Sequence, residues 1–209
     1  MALPNVVQYS LAASNNTNVV NAGSTVAVGT FFTLATTTFD VQRRLTFTMA
    51  GNESANTFKI IGLNQAGNTI SEVLAGVNTG STNTNLDYKT LISIQAIGST
   101  AATLSIGTNS TGSCLWQIMN YNITPTNIEC SVVQQTGSAN VSVQYTYDDP
   151  NNLPPNVTFP QPFTLSAING TTTSIDASIN DPIVAVRLLV NSGTGVVRGT
   201  FIQAGIGSP

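Results

Sequence analysis

The chain has 209 residues, of which 41 % are hydrophobic and only 7 % are charged, and its net charge is −3. This is the composition of a globular chain with a neutral polar surface, because an average soluble domain has roughly a quarter of its residues charged. Nucleic acid and anionic membranes are excluded as partners, since no basic cluster is present to neutralise phosphates. The absence of histidine excludes Ser-His-Asp and Cys-His catalysis and every histidine-ligated metal.

The N-terminal segment has no basic leader and no long apolar run, so it predicts neither a signal peptide nor a membrane span. It does contain apolar residues that lie outside any obvious core, among them Leu3, Val6 and Val7. These residues favour an extended arm over residues 3–13 that lies on a neighbouring protein or exchanges between subunits.

Residues 42–76 predict a meander of three strands. Leu45, Phe47 and Met49 alternate with threonines, which is the period-2 pattern of a strand with one buried face. A second and a third strand follow after two polar turns, the later of which is NQAGN at residues 64–68.

The polar stretch after this meander predicts an exposed loop at residues 77–87, because it is rich in glycine and small polar residues. A strand is then predicted at Tyr88–Ile97, with a short partner strand that ends at Gly107. The next low-complexity break, Asn109–Ser113, is the predicted domain boundary.

The second half of the chain contains its strongest hairpin pattern. Residues 127–134 and 141–147 alternate in polarity on either side of a predicted turn at Gly137 and Ser138. The proline-rich run at residues 148–155 ends the second of these strands, since proline removes ladder donors. Further extended segments are predicted at residues 157–165, 175–179, 184–190 and 196–203, with a glycine hairpin turn at residues 191–195.

Ten or more short strands and very little helix predict an all-β protein. The expected architecture is two β-sandwich or jelly-roll-like domains in tandem. Residues 1–112 form the N-terminal domain with its extended arm, and residues 113–209 form the C-terminal β-sandwich, each of the usual domain size. A single large sandwich is the alternative.

The sequence predicts no enzyme, because it contains none of the motifs that define a catalytic or cofactor-binding site. The pair Asp148 and Asp149 stands in the run DDPNN, whose oxygens suit Ca²⁺, but an Asx-capped turn is the favoured interpretation. We therefore predict no catalytic residue, no metal and no cofactor. For Cys114 and Cys130, buried thiols are favoured over a disulfide.

Two stretches resemble patterns found in tailed-bacteriophage virion proteins, and together they touch about half of the chain. The first is QRRLTFTMAGNESANTFKIIGLNQAGNTISEVLAG, followed by the segments Asp87–Ile97 and Thr103–Gly107. The second is VSVQYTYDDPNN with PIVAVRLLVNSGTGVVRGTFIQAG. The matching residues are Arg43, Arg44, Gly51, Asn52, Gly62, Gly67, Asn68, Glu72, Gly76, Lys89, Thr90 and Ile94 in the first, and Ala185, Arg187, Ser192, Gly193, Gly195 and Gln203 in the second.

This resemblance implies a non-enzymatic structural protein of a phage virion. A capsid decoration or cement protein is preferred, placed on the capsid surface, assembled in the bacterial host cytoplasm and bound to the major capsid protein or neighbouring virion proteins. A homo-oligomer is expected, with a trimer favoured. The predicted interface residues are Arg43, Arg44, Arg187, Leu3, Val6 and Val7.

Two alternatives remain open. One is a head–tail connector or tail accessory protein. The other is a glycan-binding module of a host-recognition fibre, in which Trp116 and the tyrosines stack on sugars, although core packing is the favoured use of Trp116.

Overall fold

The computed structural model describes residues 4–11, 13–120, 122, 127–154, 157 and 159–204. Within these residues the protein is almost entirely β-structure, with one short 3-10 helix at Ser166–Ile168. The prediction of an all-β protein is therefore confirmed. No helix in this part of the chain is long and apolar enough to cross a membrane.

The chain forms two compact units. The central unit consists of Ala13–Gly112, and the terminal unit combines Met1–Ala12 with Ser113–Pro209. The first strand of the chain is thus grouped with the last hundred residues. That the two units are tandem sandwiches stays a prediction.

Antiparallel ladders build the central unit. Its strands are β2 (Asn15–Ser24), β3 (Thr38–Asn52), β4 (Thr57–Leu63), β5 (Thr69–Ala75), β6 (Asn78–Asn83), β7 (Tyr88–Ala96) and β8 (Leu104–Ser113). They run in the order β8-β3-β7-β4-β5, while β6 pairs with β3 and β2 pairs with β8.

All three strands of the predicted meander are present, and one of the two predicted strand pairings is correct. β4 and β5 form the expected hairpin, in which Asn64 accepts hydrogen bonds from the backbone amides of Ala66 and Asn68. β3 and β4 are not neighbours, because β7 is inserted between them. The loop predicted at residues 77–87 is also partly wrong, since it contains β6.

The core of the central unit lies on one face of these strands, as the alternation predicts. Phe47 and Phe58 pack with ring centroids 5.4 Å apart, and Phe32 lies 6.3 Å from Phe58 on its other side. Ile60 and Ile94 are fully buried beside them. Burial of such side chains stabilises the unit by about 1.5–3 kcal/mol each.

Two strands of 20 residues dominate the terminal unit. β10 (Asn127–Thr146) and β13 (Ala185–Ala204) pair antiparallel from one end to the other, with register shifts near Gln134 and Asn140. The other strands are β1 (Pro4–Leu11), β9 (Gln117–Ile118), β11 (Phe163–Thr164) and β12 (Ile175–Ile179). β11 and β12 pair with β10, whereas β1 and β9 pair with β13.

The long ladder curls over on itself. A straight strand rises about 3.3 Å per residue, which would separate positions 188 and 199 by roughly 36 Å. Instead, a Cβ atom built on Gly199 would lie 3.5 Å from Cδ2 of Leu188. The two halves of β13 therefore face each other across the interior of the unit.

Both predicted glycine turns in this unit are wrong. Gly137 lies in the middle of β10 and Gly195 in the middle of β13, and the two residues are directly opposite each other. Both have positive φ, of 68° and 143°, as does Gly193 at 86°. The glycines mark an irregular part of one continuous ladder, since local sequence cannot distinguish a bulge from a hairpin turn.

Candidate interaction surfaces

Arg43 lies inside the central unit. Its Nε and Nη2 donate to Oδ1 and Oδ2 of Asp40 at 2.8 and 2.6 Å, and Nη1 donates to the carbonyl oxygen of Asn109 at 3.3 Å. This is a two-pronged ion pair of the geometry that arginine prefers. The buried guanidinium thus joins β3 to β8. An interface role for Arg43 stays a prediction.

Arg44, the next residue, points to the other side of β3. Its Nε lies 3.3 Å from Oδ1 of Asp87, and its side chain is partly exposed. The Asp87 side chain is buried, whereas the Arg44 side chain is 29 % exposed. Arg44 therefore keeps surface that a partner can reach, and its interface role stays a prediction.

Glu72 closes the turn that leads into β7. Its carboxylate accepts hydrogen bonds from the amides of Asn85 and Leu86 and from the hydroxyl of Tyr88, at 2.9, 3.1 and 3.0 Å. Burial, followed by the charge of Glu72, raises the pKa of Tyr88, so its hydroxyl stays protonated and donates. Glu72 was only one of several scattered acids in the sequence, and its role is structural.

Replacement of Glu72 by alanine is expected to lower the free energy of unfolding by about 2 kcal/mol, because the buried Tyr88 hydroxyl and two amides lose their acceptor. Glu72→Gln keeps one acceptor oxygen and should lose less. Urea denaturation followed by far-UV circular dichroism measures both variants. A Glu72→Ala protein as stable as the wild type would contradict this assignment.

The outer face of β4, β5 and β7 is the side of this sheet that points away from the core. A row of directly opposed residues crosses it, from Phe31 through Gln95 and Lys59 to Val73. Phe31 is 60 % exposed and Val73 is 63 % exposed. Ile97 is also exposed, so this outer face presents several apolar side chains around a single lysine.

A β-bulge adds to the apolar surface of β7. Ile61 is opposite Ser93 and Gly62 is opposite Leu91, so Ile92 has no partner on β4. Its side chain is exposed. Bulges redirect a side chain in this way at functional edges and rims of sheets.

Arg187 lies in the terminal unit, where sequence analysis expected it in an apolar strand. Its Nε donates to Oε1 of Gln144 at 2.9 Å, and its guanidinium carbon lies 4.5 Å from the ring centroid of Trp116. A guanidinium over an indole face is a favourable cation–π contact of about 0.5–2 kcal/mol. Trp116 is half-buried under this arginine, and an interface role for Arg187 stays a prediction.

Three aromatic rings form a cluster on the terminal unit that sequence analysis did not assemble. Tyr145 and Phe163 are opposed across β10 and β11 and stack at 5.7 Å with an interplanar angle of 22°. Tyr147 contacts both edge-on, at 5.8 and 5.5 Å. Tyr147 is 48 % exposed and Phe163 is 44 % exposed.

The predicted N-terminal arm is a strand of the terminal unit. Val6 is opposite Thr200 and Val7 is opposite Gly199, where the missing side chain makes room for Val7. Val6 is exposed and Val7 is half-buried. Leu3 lies outside the described residues.

The run DDPNN forms the predicted Asx turn. Oδ1 of Asp149 accepts the amide of Asn151 at 2.9 Å, while Oδ2 of Asp148 accepts the amide of Gln161 at 2.7 Å. Among the described residues, no group of three or more acidic, cysteine or histidine side chains is placed to hold a metal ion.

Cys114 and Cys130 are buried free thiols, as favoured from the sequence. Burial, together with the charge of Glu129, raises the pKa of Cys130 to about 12. We expect neither thiol to react with Ellman's reagent at pH 8 in the native protein, because only an accessible thiolate reacts. Both should react in denaturant, and a thiol that titrates in the native protein would show that its site opens readily.

Comparison with known proteins gives no family model and no curated protein that matches this chain. One similar solved structure is the major capsid protein P2 from Bacteriophage PM2. It shares 11 % sequence identity over 98 % of each chain, with a TM-score of 0.19. A similarity this weak carries no argument about function.

Proposed function

We propose that this chain is a non-enzymatic structural protein of a phage virion, namely a capsid decoration or cement protein that binds the assembled head and stabilises it. The sequence resemblance to tailed-phage virion proteins supports the class. The observation that supports the attachment is the outer face of β4, β5 and β7, where the large exposed side chains of Phe31, Val73 and Ile97 lie among polar residues that carry a single charge, Lys59.

The chemistry of this outer face suits a protein partner. Interface cores are depleted of charged residues and enriched in aromatic side chains, and this face has Phe31, Val73 and Ile97 with Lys59 as its charge. Phe31 and Val73 stand at the two ends of the opposed row, with Gln95 and Lys59 between them, which is a mixture of apolar and polar groups that protein interfaces commonly have. The sheet beneath is rigid, because its inner side packs on the fully buried Phe58 and Ile94.

Attachment through this face stabilises a shell mechanically. A stable contact buries at least about 1,000 Å² in total, and each such contact on neighbouring capsid subunits opposes their separation. No covalent chemistry is needed. The remaining surface of the chain is left for solvent and for its own copies.

A binding experiment tests the attachment. Heads purified from a phage that lacks this gene are mixed with the protein and sedimented. The wild-type protein should co-sediment, and Phe31→Glu should abolish co-sedimentation, because Phe31 lies opposite the neutral Gln95 and a desolvated unpaired charge costs several kcal/mol. The matched control is Val157→Glu, which places the same charge at an exposed valine of the terminal unit.

Two results would overturn the proposal. One is a wild-type protein that does not bind the heads, and the other is a Phe31→Glu variant that binds as well as Val157→Glu. Copy number per virion separates a decoration protein from a tail or connector component, with on the order of hundreds of copies against tens, since tail rings have low cyclic symmetry.

We also propose that the oligomer is a trimer in which β1 is exchanged between subunits. β1 is an edge strand with all eight residues paired to β13, and only residues 12–14 connect it to β2. Exchange of such a strand preserves its pairing while it links chains.

A disulfide between opposed positions tests the exchange. Val6 and Thr200 are directly opposite in the ladder, within the distance that a disulfide spans. In the double variant Val6→Cys/Thr200→Cys, exchanged strands give covalent trimers on a non-reducing gel, and unexchanged strands give a monomer with an internal bridge. Quantitative internal bridging would exclude the exchange.

A further inference from the structure

The aromatic cluster of Tyr145, Tyr147 and Phe163 is rigid although it is exposed. Each ring contacts the other two at 5.5 to 5.8 Å, and the backbones of β10 and β11 hold two of them in register. Exposed rings fixed in this way lose little conformational entropy on binding. Isolated aromatic side chains on a surface would lack the neighbouring rings that fix these three.

Acidic groups border the rings. Partial desolvation raises the pKa of Tyr147, and the charges of Tyr145 and Asp181 raise it further. Asp148 directly follows Tyr147 and accepts the amide of Gln161, two residues before Phe163. The charged groups that act on this aromatic cluster are thus carboxylates.

The charges near the rings and the contacts between the rings restrict the class of ligand that the cluster can bind. An anion is disfavoured, because the charged groups beside the rings are carboxylates. Arg187 is opposite Gln144, whose side chain points to the other side of β10 from Tyr145. A quaternary ammonium is disfavoured as well, since it needs a cage between rings and these rings touch each other.

We propose that Tyr145, Tyr147 and Phe163 form a binding platform for a neutral carbohydrate. The apolar C–H face of a hexose lies on the exposed ring of Phe163, and Tyr147, which meets that ring edge-on, contacts the edge of the sugar. Its hydroxyl groups donate to the carboxylates of Asp181 and Asp148 and exchange hydrogen bonds with the tyrosine hydroxyls. This site lies in the terminal unit and is independent of the proposed attachment through the outer face.

Native affinity electrophoresis tests the platform. The full chain is run in gels that contain a soluble β-glucan, an α-mannan or a galactan, with dextran sulfate as an anionic probe. At least one neutral polymer should retard the wild-type protein. Tyr147→Ala and Phe163→Ala should each weaken that binding about tenfold or more, the factor that corresponds to about 1.4 kcal/mol.

Two further variants distinguish the contribution of the Tyr147 ring from the contributions of its hydroxyl group and of other exposed apolar side chains. Tyr147→Phe keeps the ring and should retain most of the retardation. Ile202→Ala removes an exposed apolar side chain elsewhere in the terminal unit and should bind as the wild type does. Unchanged circular dichroism spectra confirm that each variant is folded, which is expected because the substituted side chains are exposed.

Three results would overturn the platform. The first is a wild-type protein that no neutral polymer retards, and the second is retardation by dextran sulfate alone. The third is equal retardation of Tyr147→Ala and Ile202→Ala. If the two ring variants instead lose co-sedimentation with phage heads, the cluster is a protein contact and the carbohydrate proposal is wrong.

Discussion

Replacement of Gly137 by alanine is expected to lower the free energy of unfolding of the terminal unit by about 3 kcal/mol. Gly137 has φ of 68°, which costs a residue with a side chain about 1–2 kcal/mol. Its Cβ would also lie 2.5 Å from the carbonyl oxygen of Thr194 on the opposite strand. The backbone of β13 must move to relieve that contact, which adds about 1–3 kcal/mol.

A second glycine in the same unit isolates the packing contribution. Gly170 has the same φ of 68°, but a Cβ there would meet only the side chain of Asn140, at 3.6 Å. Gly170→Ala should therefore cost only the conformational strain, about 1 kcal/mol. Fluorescence of Trp116, the single tryptophan, follows unfolding of this unit in urea. Equal losses for the two variants would show that the ladder tolerates a side chain at Gly137.

Replacement of Asp40 by asparagine is expected to cost the central unit about 3 kcal/mol, because it removes the carboxylate that forms a two-pronged ion pair with the buried Arg43. The Arg43 side chain is only 2 % exposed, so water cannot take over this role. Asparagine keeps the acceptor that holds the amide of Val41, so the local backbone is preserved. Far-UV circular dichroism in urea follows the loss.

A double variant distinguishes the unpaired charge from lost packing. Arg43→Met with Asp40→Asn removes the charge together with its partner and should be more stable than Asp40→Asn alone. Lys59→Gln removes an exposed cation and should change stability by less than about 0.5 kcal/mol. A double variant that is less stable than Asp40→Asn would mean that the guanidinium is held chiefly by its other contacts.

Sequence patterns predicted the strands and turns that are determined by residues close together in the chain. Alternation located β3, β4, β5, β7 and β12, and the NQAGN turn at residues 64–68 joined β4 to β5. In each case the buried face and the turn chemistry are local properties of a few residues. The same patterns contained no information on which distant strand lies alongside.

Non-local pairing explains the errors. β7 separates β3 from β4 although 24 residues lie between the end of β4 and the start of β7. Gly137 and Gly195 face each other from strands that are distant in sequence, and each alone has the signature of a hairpin turn. The cluster of Tyr145, Tyr147 and Phe163 was missed because the two-residue strand β11 brings the third ring across a proline-rich connection.

Glycines in the phage-like motif have a packing role that the sequence alone did not indicate. A side chain on Gly62 would collide with the backbone of Thr90 and the ring of Tyr88, and one on Gly76 would collide with the backbone of Glu53. Both glycines allow two backbones to approach closely. Part of the motif therefore describes close contact inside the central unit.

The place of β1 also sets the order in which the chain can fold. β1 ends at residue 11, so it is synthesised long before its pairing partner, residues 195–202 of β13. At a translation rate of about 5–20 residues per second, the first strand remains unpaired for roughly 10–40 s while the central unit is completed. During that delay on the ribosome, neighbouring nascent chains of a polysome can offer β1 a completed β13 before its own chain does.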